Sequence, residues 1–263
     1  MKVLFVGDIV GNPGRKTARR VIPLIRKELS IDFCIANGEN SAGGLGITNA
    51  VAQELYGIGF DAITLGNHTW SKTEALAFLD DDRRIVRPAN FHPDLPGNGS
   101  ALIKGDNKEL GLVNVQGRTF MENIDCPFRS AEKEIDYLSD YTKNILVDFH
   151  AEATSEKIAM GWYLNGKVSC VLGTHTHVQS ADERVLPGGT TAYITDVGMT
   201  GPRDGIIGVE RDAVIDRFIK NLPGKFHVAS GAVQFNSVLI EIDSITGKAV
   251  SIERVNRFFD NIE

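Results

Sequence analysis

Cysteine is scarce in this sequence. Three are present among 263 residues, at positions 34, 126 and 170. Their number is odd, their spacings are wide and no CxxC occurs, which excludes a disulfide scaffold and a zinc ribbon. Cys34 and Cys170 lie in apolar runs and read as buried thiols. Basic charge is not in excess either: 28 Lys and Arg face 34 Asp and Glu, for a net charge of -6. That balance argues against a protein built to coat nucleic acid or an anionic membrane. It leaves room for a small phosphorylated substrate, because bound metal reverses local charge. Long apolar runs are missing too. No stretch approaches a transmembrane helix, and the opening "MKVLFVGDIVG" is apolar too early and too briefly for a secretory signal. A reducing cytoplasm and no membrane partner are therefore expected.

Repeats, low-complexity tracts and linkers are also absent. What remains is an ordinary globular balance, 42% hydrophobic and 24% charged, in a chain long enough to bury a large core. We expect one α/β domain over residues 1–263, with helices on both faces of a sheet core. The first third alternates. Strands are expected at 2–7, 32–40 and 61–68, with helices at 14–29 and 48–59 between them. Pro23 should kink or break the first helix, and Thr48 should cap the second. This rhythm predicts βαβ units with parallel strands. The middle is less regular. Two strands (100–104 and 110–115) flank a turn, and further apolar strands are expected at 144–152, 168–177 and 190–200. A helix near 209–221 precedes two antiparallel strands joined by "SITGK".

One pattern recurs. Apolar strands stop at a small residue and polar side chains follow at once: "VGD" (6–8), "NGEN" (37–40), "LGNH" (65–68), "VDFH" (147–150) and "LGTHTH" (172–177). Ligands collect at the carboxyl ends of strands in open α/β sheets. Each residue also has a bland role. Asp8 could cap a helix, Glu39 and Asn40 could serve a turn, Asn67 could satisfy loop backbone, and His68 or His150 could be structural. Only His175 and His177 stand out alone, in a chain with six histidines. In an extended strand, residues i and i+2 share a face, so both imidazoles would reach one cluster while Thr176 turns away. Taken together, Asp, Glu, Asn and His ligands without cysteine suit iron, manganese or zinc. Glu39 is the best-placed carboxylate to bridge two metals.

The segments "VGDIVG", "NGENSAGG", "TLGNHTW", "DFHAEATSEK", "GTHTHVQSAD" and "TDVGMTGP" resemble the calcineurin-like metallophosphoesterase superfamily, in its bacterial YmdB-type branch. The resemblance runs from Met1 to about residue 260. It implies a four-layer α/β/β/α sandwich with mixed sheets and a dinuclear metal centre. Asp8, Glu39, Asn40 and His177 would hold one ion. Glu39, Asn67, His150 and His175 would hold the other, with iron the expected metal and manganese a substitute. His68 would be the catalytic proton donor. The chain departs from the broader superfamily in three places. The D-x-H motif is replaced by Asp8-Ile9-Val10, with Asn40 standing in for the histidine. The bridging aspartate is replaced by Glu39. Thr69 and Trp70 follow "GNH", so no adjacent acid orients His68.

The implied activity is a 2′,3′-cyclic-nucleotide 2′-phosphodiesterase. The metals would lower the pKa of a bridging water toward ~7 and bind the phosphate; the resulting hydroxide would attack in line, and His68 would protonate the departing oxygen. Cyclic nucleotides are the expected substrates, RNA ends and RNA-related partners a further option, and a homo-oligomer stays open. A competing reading is a nucleotide- or RNA-binding regulator that uses the metal site without catalysis. Another is a dinucleotide-binding fold, but the glycines at 7, 11 and 14 do not fit G-x-G-x-x-G. Lesser features have two readings each. "NSAGGLG" (40–46) is a phosphate loop or a tight turn. Arg203 is an anion contact or a solvated side chain. Trp70 and Phe91 are base-stacking or core residues, and "RKTARR" (15–20) is the wet face of a helix.

Overall fold

The first strand shows how the layers arise. In β1 (Lys2–Val6), Val3 and Phe5 face one way and Leu4 and Val6 the other, yet all four are fully buried. A strand apolar on both faces must be covered on both sides. Leu4 and Val6 pack with helix residues such as Ile22 and Leu55. Val3 and Phe5 instead meet Leu112, Leu146 and Leu172 of a second sheet. The far side of that sheet, with Val147 and Phe149, is covered by Ile135, Leu138 and Met160. Helix, sheet, sheet, helix is the expected four-layer order.

The computed structural model describes residues 1–261. After β1 come β2 (Asp8–Ile9), α1 (Gly11–Leu29), β3 (Phe33–Asn37), α2 (Asn49–Ile58), β4 (Ala62–Thr64), α3 (Ala75–Phe78) and β5 (Ile85–Val86). The middle supplies β6 (Ser100–Gly105), β7 (Lys108–Gln116), α4 (Pro127–Ser139), β8 (Ile145–His150), α5 (Thr154–Tyr163) and β9 (Cys170–Thr174). Last are β10 (Arg184–Val185), β11 (Ala192–Ile194), β12 (Met199–Pro202), α6 (Arg211–Lys220), β13 (Val233–Ile242) and β14 (Ala249–Phe259). The first sheet runs β2-β12-β13-β1-β3-β4-β5, with β14 on β13; the second runs β10-β11-β9-β8-β7-β6. Both are mixed. β1, β3, β4 and β5 are parallel, as are β7, β8, β9 and β11, whereas β13 lies antiparallel to β1, β12 and β14.

Thr48 caps α2 as expected, accepting from the Val51 amide at 3.3 Å. Pro23 does not break α1, which is continuous from Gly11 to Leu29. Pro23 and Arg19, whose carbonyl loses its bond, are both on the exposed face, where water replaces it. Arg15 is no wet-face residue. It bonds the Ser41 carbonyl and, at 2.8 Å, Glu54 of α2. Among the described residues no helix is long and apolar enough to cross a membrane.

Candidate metal centre

The five strand ends meet. Asp8 lies just past β1, Glu39 and Asn40 past β3, and Asn67 and His68 past β4. His150 closes β8, and His175 and His177 follow β9. The first sheet thus supplies Asp8, Glu39, Asn40, Asn67 and His68, and the second supplies the other three histidines. His150 Nε2 is 3.0 Å from Asn67 Oδ1, 3.1 Å from Glu39 Oε1 and 3.0 Å from His175 Nδ1. His177 Nε2 is 3.2 Å from Asn40 Nδ2 and 3.7 Å from Asp8 Oδ1. Asn40 Nδ2 lies 3.1 Å from Glu39 Oε1, so Glu39 touches both halves.

This cluster fits a cation. Asp8 is fully buried, and its Oδ1 has no hydrogen-bond partner. No Lys or Arg pairs with Asp8 or Glu39 among the described residues; their near neighbours are imidazoles. A buried carboxylate oxygen left unpaired is costly, and a metal ion removes that cost. Glu39, His150 and His175 present ligand atoms all within 4.8 Å of one another. Electrostatics follow the same logic. Burial pushes the Glu39 carboxyl up, but His150 and His68 outweigh it and hold it well below the usual range. Burial opposes protonation of His177, but Asp8 outweighs it and raises the pKa to about 9. Burial and the neighbouring His150 push His175 down to about 3. Asn40 turns its Oδ1 to His68 Nδ1, at 2.9 Å, so metal ligation through oxygen requires the amide to turn over.

The histidine pair reaches the cluster by a different backbone from the one expected. β9 ends at Thr174, and His175 and His177 adopt left-handed conformations, with φ of 100° and 64°. Side chains rarely take such values without compensation. Here the compensation is Asp196. Its Oδ2 accepts from the Thr176 amide at 3.1 Å, the Thr176 hydroxyl at 2.8 Å and the buried Lys157 ammonium at 2.6 Å. Thr176 is turned away, as alternation predicted, but the loop rather than a strand does it.

A second set of residues fixes the imidazoles. The Thr174 hydroxyl donates to Asp148 Oδ1 at 2.7 Å and lies 2.9 Å from His150 Nδ1. With its proton committed, the hydroxyl can only accept, so His150 carries its proton on Nδ1 and frees Nε2. Asp148 also accepts from Thr64 Oγ1 and Asn37 Nδ2. Burial raises its pKa to about 6, partly offset by His150. Glu152 lies 3.3 Å from His175 Nε2, and the Ile207 carbonyl accepts from His177 Nδ1 at 2.9 Å. Sequence reasoning missed Asp148, Glu152, Thr174 and Asp196. Spacing could have found the first, since Asp148 shares a strand face with His150.

The lesser features resolve. Asn40 Oδ1 orients His68, with Glu39 Oε2 accepting the His68 amide at 3.0 Å. Trp70 packs against the core, and its ring centroid is 6.0 Å from that of buried Phe91. "NSAGGLG" is a turn in which three amides are used locally: Ser41 donates to Gly38, Ala42 to Gly46 and Gly44 to Asn40. The glycines of the dinucleotide-like motif serve packing, because a Cβ on Gly7 or Gly14 would come within 3.0 Å of the Gly198 or Thr200 carbonyl.

Comparison with known proteins bears on the family and the fold. A family profile described as YmdB-like protein matches residues 4–255. The 2′,3′-cyclic-nucleotide 2′-phosphodiesterase of Bacillus subtilis (strain 168) is 51% identical over 255 residues, which cover 97% of this chain and 96% of that protein. The crystal structure of a novel phosphatase from Mycoplasma pneumoniae superposes with a TM-score of 0.93 at 32% identity, covering 99% of this chain and 94% of the other. That of a hypothetical protein from Thermus thermophilus gives 0.92 at 39% identity, covering 98% and 99%. With the motifs and four-layer fold agreeing, the chain belongs to the YmdB-like protein family.

Proposed function

We propose that the chain is a metal-dependent phosphodiesterase acting on 2′,3′-cyclic nucleotides. The observation that carries this reading is the orphaned, buried Asp8 Oδ1 beside a convergent set of carboxylate, amide and imidazole donors. The 51%-identical Bacillus subtilis relative supports the substrate class. Asp8, Glu39, Asn40 and His177 would hold one ion, and Glu39, Asn67, His150 and His175 the other, with iron or manganese the expected metals. Such a pair, when bound, would supply charge for the phosphate and make hydroxide available by lowering the pKa of a bound water toward ~7.

The chain's own residues do the rest. Asp148, Thr174, Glu152 and Ile207 orient the histidine ligands before substrate arrives, which limits reorganisation during the reaction. His68 is partly exposed, and the Asn40 amide, turned over so that its Oδ1 faces the metal, would donate from Nδ2 to His68 Nδ1 and leave the His68 proton on Nε2. No hydrogen bond ties up His68 Nε2 among the described residues, so that nitrogen can meet a leaving oxygen. As hydroxide adds to phosphorus, the bond to the ribose 2′ oxygen breaks. His68 gives that oxygen its proton, and a 3′-nucleotide leaves. The test is elemental analysis of the purified protein together with hydrolysis of 2′,3′-cyclic nucleotides before and after chelation. Bound transition metal and chelator-sensitive turnover are expected; a protein with neither overturns the assignment.

A further inference from the structure

His177 has a second neighbour. Besides the ligand cluster, it borders a cavity of about 380 Å³, inside the range of roughly 300–1,000 Å³ that holds small molecules. The walls come from β12, β13 and β14, and amide side chains enter from them. Gln234 Nε2 donates to Asn236 Oδ1 at 2.8 Å, while Asn236 Nδ2 donates to nothing among the described residues. Asn256 Nδ2 donates to Gln179 Oε1 at 2.6 Å, and its own Oδ1 is left unpaired. Amides of this kind supply both donor and acceptor, which is what the edge of a nucleobase demands.

A flat platform lies on the same cavity. The Arg203 guanidinium carbon is 5.1 Å from the centroid of the Phe258 ring, and Phe258 is 57% exposed. Arg254, in the same wall, is committed to Glu183 at 2.8 Å. Arg203 makes no such pair among the described residues. It is exposed, with its guanidinium laid over an aromatic ring that water also reaches. Bases stack on aromatic rings and on guanidinium planes alike.

We propose that this cavity is the nucleoside subsite. The base stacks on the Arg203–Phe258 pair, Gln234 and Asn236 read its edge, and the phosphodiester lies on the far side of His177, at the ligand cluster. The inference rests on the phosphodiesterase reading and adds to it the residues that make a nucleotide a better substrate than a bare cyclic ester.

The experiment compares wild type with Phe258→Ala and Arg203→Ala, both exposed positions. Two substrates are used, adenosine 2′,3′-cyclic phosphate and the base-free glycerol 1,2-cyclic phosphate. The ratio of kcat/KM for the nucleotide over the base-free ester should fall about 5- to 150-fold in Phe258→Ala, the span of base–aromatic stacking. An unchanged ratio in both variants overturns the proposal. Equilibrium titration with adenosine 3′-monophosphate gives a readout independent of turnover, with Kd expected to rise in step; equal affinity in all three proteins overturns it as well. If wild type hydrolyses neither ester, the phosphodiesterase reading fails while the titration still decides whether the cavity binds a nucleoside.

Discussion

Thr174→Val separates ligand orientation from ligand identity. Valine matches threonine in shape, suits the end of β9, and leaves no cavity. The substitution removes one hydroxyl that makes two contacts: the bond to Asp148 Oδ1 at 2.7 Å and the acceptor for His150 Nδ1 at 2.9 Å. The lost charge-assisted bond costs about 1.5–3 kcal/mol of stability. His150 loses the acceptor that holds its proton on Nδ1, so metal affinity should fall about 10- to 100-fold, as for other partners of metal-ligating histidines. Thr64→Val is the control. Its hydroxyl serves the same carboxylate at 2.5 Å but does not touch His150. It should lower Tm comparably and metal affinity much less. The assay is metal titration against a competing chelator, with Tm measured on the same samples. Wild-type metal affinity in Thr174→Val, or equal losses of affinity in both variants, refutes the assignment of the His150 proton.

Three other outcomes follow from the same geometry. Gly66→Ala places a Cβ within 3.0 Å of His150 Nε2 and of Glu39 Oε2 at a position where alanine is otherwise allowed; turnover should drop roughly 100-fold through misplaced ligands, and normal kcat with full metal content would show that the crowding is relieved without cost. His68→Ala should retain its metals by elemental analysis and lose about 10²–10⁴-fold in kcat; unchanged turnover removes the proton-donor role. Lys157→Met leaves Asp196 buried without its cation, so it should cost about 3–5 kcal/mol of stability in denaturant titration and lower activity through the loop that carries His175 and His177; a stable, fully active variant would show that the Thr176 contacts suffice.

The strand ends were legible because each joins a β-rich run to a polar residue, four of the five through a glycine. Asp8, Glu39, Asn40, Asn67, His68, His150, His175 and His177 could all be placed on one edge that way. The backbone of the histidine pair could not. Its left-handed angles are held by Asp196, 20 residues from Thr176 along the chain, and by Lys157 on α5. Neither α4 nor α5 was read from the sequence, although Pro127 at the first turn of α4 is a start signal. Thr174 was hidden for another reason: a threonine in an apolar strand reads as β-propensity, and only its neighbours show that its hydroxyl is in use.

The carboxylates come from one sheet and most of the imidazoles from the other, while the apolar layer between them makes contacts without direction. All three cysteines are free thiols, so no disulfide joins the sheets. An ion held, as proposed, by Asp8 and His177, or by Glu39 and His150, would therefore be a dissociable cross-link between the two halves of the sandwich. Its strength is set by the surroundings: at a free-metal concentration one hundred times Kd it adds about 2.7 kcal/mol. Metal starvation would then act on this protein twice, removing its chemistry and loosening the seam along which its sheets are joined.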